Sequence, residues 1–237
     1  MLNLADIDKY TTSLLHFDGA DGSTTIVDEV GNTWTPTSHA QIDTAFSKFG
    51  GSSCIFEGDD ILNAYVDERW VPGTLDFTVE AWIRRNGTSA YPGIISATVA
   101  GQNGWSLHLG NGDNKVRVIW DNTQKILSTG TIADLTWTHV ALVRFGNTAT
   151  VYINGVADGT DDCTGDSIGT NGLYVTIGAA FTNPLYYWLG WIDEVRFSKG
   201  IARWTADFIP PTREYPTTKN YLTNLRSRFR TVGVSLG

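Results

Sequence analysis

From residue 13 to residue 180 the chain repeats one local pattern: short runs in which apolar and polar side chains alternate, each closed by Gly, Asn or Asp. A period of two is the mark of a strand with one face buried. "LDFTVEAWIRR" (75–85) shows it well, with Phe77, Val79, Ala81 and Ile83 on one face and Thr78, Glu80, Trp82 and Arg84 on the other. Runs of the same kind cover 13–19, 53–58, 61–67, 92–98, 104–110, 114–121, 137–146, 148–159 and 173–180. Asn154-Gly155, between "VYI" and "VA", reads as a type I′ turn, because both residues tolerate positive φ. No long helical pattern precedes residue 217. Many short strands at near-regular spacing predict an all-β sandwich or barrel. A chain of 237 residues can bury a large core in one such domain, and nine Trp supply bulky side chains for it.

The same residues exclude several classes. No run approaches 18 consecutive apolar residues, so no membrane insertion is expected. "MLNLADIDKY" carries acids where a signal peptide has a basic start and an apolar run, so no secretion signal is expected. Residues 217–237 hold Lys219, Arg226, Arg228 and Arg230 and no acids, which is +4 against −8 overall, leaving −12 on the rest. An acidic body does not suit nucleic acid. Pro210, Pro211 and Pro216 set the basic tail (213–237) apart, and Tyr221, Leu222, Leu225 and Phe229 fall at helical spacing beside Arg226, Arg228 and Arg230. This reads as a short amphipathic helix for docking, against the alternative of a solvated terminus. Cys54 lies in a strand-like stretch and reads as core, Cys163 reads as a loop residue, and neither has a His at zinc-site spacing. The two could form at most one bridge.

Five stretches, "LLHFDGADGSTTIVDEVGN", "SKFGGSSCIFEG", "DFTVEAWIRR", "WTHVALVRFGNTATVYINGV" and "LGWIDEVRFSKGIARWTADFIPP", resemble in order the laminin-G-like branch of the concanavalin A-like jelly rolls, over about residues 13 to 212. The first and last are most similar to versions found in tailed-phage and prophage virion proteins. The resemblance implies an antiparallel two-sheet jelly roll at 13–212, with an N-terminal arm (1–12) and the tail as flanks. It further implies a non-enzymatic virion structural protein, a tail fibre or tip or a capsid decoration, whose sandwich contacts host-surface carbohydrate. Such a protein would be made in the host cytoplasm, form a homo-oligomer in the particle and dock on other virion proteins through the tail. The alternative is a secreted or surface bacterial carbohydrate-binding adhesin module.

Many members hold calcium, and the residues here that match the family's acids and amides are Asp18, Asp28, Asn32 and Asp193. Calcium takes six to eight oxygens. Read as a regular strand, "GWIDEVRFSK" puts Asp193 on one face with Trp191, Val195 and Phe197. Its carboxylate is then either a calcium ligand or an acceptor of backbone N–H groups at a sheet corner. The acid-rich "DGTDDCTGDS" (158–167) lacks the order of an EF-hand and reads as a solvated loop. Glycoside hydrolases need two carboxylates facing one bond. The E-x-D-x-x-E-like strand of hydrolytic relatives is missing, and the adjacent acids of "IDEV" point to opposite faces. No G-x-S-x-G or H-E-x-x-H occurs, and His139 in "WTHVAL" reads as structural. A sugar-binding surface would use exposed aromatics beside amides and carboxylates. The candidates are Tyr91, the group Gln102, Asn103 and Trp105, and the group Tyr186, Tyr187 and Trp188. On strand alternation Tyr186 and Trp188 share one face and Tyr187 and Trp191 the other, with one pair in the core. For each Trp the competing role is core packing.

Overall fold

The computed structural model describes residues 7–87, 89–98, 104–170, 172–180, 186–215 and 217. They form two stacked antiparallel sheets. One runs from edge to edge as β13 (Val156–Asp162), β12 (Thr148–Ile153), β11 (Thr138–Phe145), β6 (Phe77–Arg85), β15 (Leu189–Lys199), β4 (Ser53–Glu57) and β3 (Gln41–Asp43). β4 pairs with the first half of β15 and β1 (Thr11–Leu15) with its second half. The other sheet runs β10 (Thr123–Thr131), β9 (Lys115–Trp120), β8 (Gly104–Leu109), β7 (Gly93–Thr98), β14 (Tyr174–Ile177), β5 (Leu62–Tyr65) and β2 (Thr35–Pro36). One 3-10 turn at Glu68–Trp70 is the helical exception among the described residues.

The core lies between the sheets. Phe77, Val79, Ala81 and Ile83 of β6 enter it as their alternation predicts, facing Ile95, Leu107, Val118 and Val175 of the second sheet. Trp70, Trp105, Trp120 and Trp188 are its largest fully buried members, each 1% exposed or less. Packing such rings between two sheets is where most of the burial stabilisation arises. Cys54 is a core residue as expected. Cys163 is buried in the same core rather than sitting in a solvated loop, and both thiols are free. The stretch 158–167 also departs from expectation: its first half is the edge strand β13, and Asp158 accepts N–H bonds from Thr129 and Gly130 of β10 at 2.8 Å each.

β15 breaks the regular alternation. Asp193 lies opposite Trp82 and Arg196 opposite Glu80, so three steps on β15 match two on β6. This is a β-bulge, with Glu194 in the left-handed region at φ 51°. The extra residue turns Val195 and Phe197 into the core, while Trp191 and Asp193 stand on the outer face with Trp82 and Arg84. The face shared by Asp193, Val195 and Phe197 in a regular strand therefore does not exist.

After β15 the chain folds back over this outer face. Trp204 and Phe208 stack at 3.9 Å and pack with Tyr152. Arg203 reaches Asp8 at 3.2 Å and the Ser198 hydroxyl at 2.7 Å. Residues 8–12 are thereby held to the sandwich, with residues 11 and 12 opening β1. The residues proposed for the tail helix, 221–230, lie outside the described residues.

The β12–β13 hairpin turns through Asn154 and Gly155, both with positive φ (50° and 78°). The Gly155 carbonyl accepts the Phe208 N–H of the returning segment at 2.8 Å, and a Cβ on Gly155 would sit 1.9 Å from the Phe208 carbonyl oxygen. Gly155→Ala is expected to cost about 2 kcal/mol or more, from left-handed strain plus displacement of that segment. The urea midpoint of the variant checks this, and an unchanged midpoint contradicts it.

Candidate functional site

Two loops meet at one end of the second sheet. The loop from β6 to β7 carries Tyr91, and the chain entering β15 carries Tyr186. Gly93 and Ala180 both donate their N–H to the Tyr186 carbonyl at 3.1 Å, and Ser89 Oγ donates to the Tyr187 carbonyl at 2.6 Å. The approach is tight enough that a Cβ on Gly93 would fall 1.6 Å from the Ala180 nitrogen. These bonds bring Tyr91 and Tyr186, 95 residues apart in sequence, into an edge-to-face pair with ring centroids 5.3 Å apart. Both are half-buried. Tyr91 holds φ 51°, a backbone region that bulky residues rarely enter, so its placement is imposed by its surroundings.

Below the pair lies the outer face of the second sheet. His108 of β8 has its ring 6.3 Å from Tyr91 and its Nδ1 2.9 Å from Ser106 Oγ. Burial, with the Arg117 guanidinium adding to it, lowers its pKa to about 3, so it is neutral at ordinary pH. Ser96 and Thr176 share a hydrogen bond at 2.8 Å, and the register places Thr176, Ser96 and Ser106 in one row across β14, β7 and β8. These polar groups are themselves buried, Ser96 and Ser106 at 0% and His108 and Thr176 at 1% exposure, and bond to one another, so the surface the site presents is that of the two half-buried tyrosines.

The remaining candidates separate. Trp105 and Trp188 are core residues, 1% and 0% exposed, so neither can stack on a ligand. Trp105 lies nearly parallel to Phe197, and its Nε1 donates to the Trp70 carbonyl at 3.2 Å. Tyr187 is half-buried like Tyr186. Strand alternation does not govern 186–188, because the ladder of β15 begins only at Leu189. Gln102 and Asn103 lie outside the described residues. Among the aromatics not singled out from sequence, Tyr65 and Tyr174 form a cross-strand pair at 5.0 Å on the outer side of β5 and β14, with Tyr65 74% exposed. Their alternation against buried Ala64 and Val175 was the available signal.

The four residues matched to calcium ligands do not share one place. Asp28 accepts from Ser13 Oγ (2.6 Å), Val30 N (2.8 Å), Asn32 Nδ2 (2.7 Å) and Trp34 Nε1 (3.0 Å). Asp193 accepts the backbone N–H groups of Lys48 (2.7 Å), Phe49 (3.2 Å) and Glu194 (2.8 Å). Asp18 is exposed. Asp193 therefore ties the 48–49 loop to the bulge. Burial, reinforced by the Glu194 charge, raises its pKa to about 8 against the pull of those three amides.

A second polar group lies under the returning segment. Glu80, fully buried, accepts from Arg196 Nε at 2.6 Å and from the Tyr215 hydroxyl at 2.5 Å, and lies 3.0 Å from His139 Nε2. Burial alone would raise the Glu80 pKa, but Arg196, His139 and Tyr215 outweigh it and hold it at about 2. The Tyr215 ring lies 3.6 Å under the Arg196 guanidinium, and its N–H donates to Glu194 at 3.1 Å. These carboxylates are closed in by protein partners rather than facing each other across a cleft.

Solved structures share the architecture. Domain 4 of AbnA, a GH43 extracellular arabinanase from Geobacillus stearothermophilus in complex with arabinotriose, superposes with a TM-score of 0.60 at 18% identity, covering 81% of this chain and 94% of that one. The binding domain of Paraclostridial Mosquitocidal Protein 1 gives 0.61 at 15% identity, covering 92% and 52%. The botulinum neurotoxin serotype D ligand binding domain in complex with N-acetylneuraminic acid gives 0.59 at 16% identity, covering 81% and 48%. The chain thus spans nearly all of the arabinanase domain and about half of the toxin domains. No curated protein matches the sequence significantly. The Laminin_G_3 family model, described as the concanavalin A-like lectin/glucanases superfamily, matches residues 56–203, from β4 to the returning segment. With more than half of its length matched and both sheets in place, the chain belongs to the concanavalin A-like lectin/glucanases superfamily.

Proposed function

We propose that the chain is a non-catalytic, lectin-like module that binds carbohydrate at the Tyr91–Tyr186 corner, within a structural protein of a phage particle. The observation that carries the binding half is the edge-to-face pair of half-buried tyrosines, Tyr91 and Tyr186, held at one end of the second sheet. A sugar ring stacks its C–H face on one tyrosine while its hydroxyls pair with the polar tips of the tyrosines themselves. The arabinotriose and N-acetylneuraminic acid bound by two proteins of similar fold support this class of ligand. The virion half rests on the likeness of the opening and closing motifs to phage proteins, and on the basic tail as the element that docks on other virion proteins. One observation favours the bacterial module instead: the chain spans 94% of a domain from an extracellular arabinanase.

The test is a glycan array carrying arabinose oligosaccharides and sialylated glycans, run with calcium and with a chelator. The full chain is expected to bind a defined glycan, and Tyr91→Ala and Tyr186→Ala are each expected to weaken it by about tenfold. No binding, or equal binding by both variants, overturns the site. Loss of binding on chelation would add a calcium ion to it. Deleting 218–237 tests the virion role: the sandwich is expected to fold but not to enter particles, and normal incorporation overturns tail docking.

A further inference from the structure

Three separate elements meet beside the bulge of β15. His16 follows β1, Glu194 is the bulge residue, and Glu214 lies on the returning C-terminal segment. One ring nitrogen and two carboxylate oxygens from these residues lie within 4.8 Å of one another. His16 and Glu194 are 6% and 2% exposed, and Glu214 is half-buried. His16 Nδ1 lies 2.6 Å from Glu194 Oε1, while its Nε2 is buried and has no hydrogen-bond partner. The carboxylates of Asp18 and Glu29 also act on this imidazole. The ring therefore meets Glu194 and Glu214 at short range, with the charges of Asp18 and Glu29 adding to theirs, in a partly dry setting that favours a compact positive charge.

We propose that His16, Glu194 and Glu214 bind a divalent cation of the zinc type. An imidazole nitrogen with two carboxylates is a donor set that zinc accepts, with water completing a tetrahedron. Calcium is disfavoured, since it takes six to eight oxygens and not nitrogen. The Tyr215 N–H on the second oxygen of Glu194 supplies the outer contact that orients a ligand carboxylate. These residues are distinct from Asp28, Asn32 and Asp193, whose side chains serve hydrogen bonds elsewhere. Because Glu214 belongs to the returning segment, the ion would join that segment to β1 and β15. A cross-link of this kind is a structural role for the metal and asks for no reaction.

The experiment is zinc titration of the full, chelator-treated chain by calorimetry, with thermal unfolding alongside. Wild type is expected to take one zinc per chain, with Tm rising about 5–10 °C at a hundredfold excess over Kd. Calcium at the same concentration is expected to leave Tm in place. Glu214→Gln, at a half-buried position, is expected to keep the fold and lose the zinc response, and His16→Gln is expected to lose it too. No zinc uptake by wild type overturns the proposal, as does undiminished uptake by Glu214→Gln. The second outcome would place any bound zinc elsewhere on the chain.

Discussion

Replacing Glu80 with alanine is expected to lower the unfolding free energy by about 3–5 kcal/mol, which for a chain of this size moves Tm down by about 10 °C. The cause is what the substitution leaves behind. Arg196 is 3% exposed, and Glu80 is the carboxylate its guanidinium pairs with. Without it a full positive charge stays buried with no counter-charge, and removing one member of a buried pair costs more than the pair contributes. The Tyr215 hydroxyl also loses its acceptor, a further penalty that overlaps with the first. Glu80→Gln should fall between the two, because the amide keeps the volume and one acceptor but not the charge. The variant should also release the returning segment at Tyr215, seen as faster amide exchange at residues 213–215 than in β6. Denaturant unfolding of both variants measures the effect. A loss below about 1 kcal/mol for the alanine variant would mean that water reaches Arg196 and replaces the carboxylate.

Residue patterns disclosed the sheets because a half-buried strand writes its two faces into the sequence. Phe77, Val79, Ala81 and Ile83 all reach the core, and the Asn154-Gly155 turn closes the hairpin expected of it. The pattern failed at Asp193 for a definite reason. A bulge inserts one residue, and a single left-handed Glu194 carries no composition signal as Gly or Asn would. It failed at Trp188 because alternation was carried back past the start of β15. Of the sugar-site candidates, Tyr91 and Tyr186 do meet, but their proximity comes from the Gly93, Ser89 and Ala180 contacts, which join distant loops. Trp105 was indistinguishable from a surface aromatic in sequence, since Gly and Asn precede core strands and exposed loops alike. The Glu80–Arg196–Tyr215 group was hidden for a different reason. Glu80 and Arg196 look like ordinary solvent-facing strand residues and Tyr215 like a residue of an open C-terminal segment, and only the chain folding back over that face buries them.

The pH dependence of stability follows chiefly from three strongly shifted groups, Asp193, His108 and Glu80, and it should single out Asp193. Its carboxyl is raised from 3.8 to about 8, so the folded state holds a proton that the unfolded chain gives up. Its contribution is fully present below 3.8 and is lost as pH rises through about 8. His108 runs the other way. Its pKa falls from 6.5 to about 3, so the unfolded chain takes a proton first, and stability is lost as pH falls from 6.5 to about 3. Glu80, lowered from 4.5 to about 2, likewise loses stability as pH falls through that window. Between 6.5 and 3.8 the Asp193 gain and the His108 loss oppose one another, each worth about 1.4 kcal/mol per pH unit at most. Stability should therefore be nearly level across mildly acidic pH, fall steeply below about 4 where His108 and Glu80 act together, and decline again toward about 8. His16, whose pKa is raised by the Glu194 contact against its burial, adds to the alkaline decline. Asp193→Asn removes the ionisation and separates these effects. The variant should be less stable at mildly acidic pH, because the amide cannot accept from Lys48, Phe49 and Glu194 all at once. Its stability between pH 6.5 and 8 should nonetheless be flatter than that of wild type. Urea midpoints at closely spaced pH values decide the matter. An alkaline slope unchanged in Asp193→Asn would mean that the three amide donors keep Asp193 ionised in the folded state, with its proton lost well below neutrality.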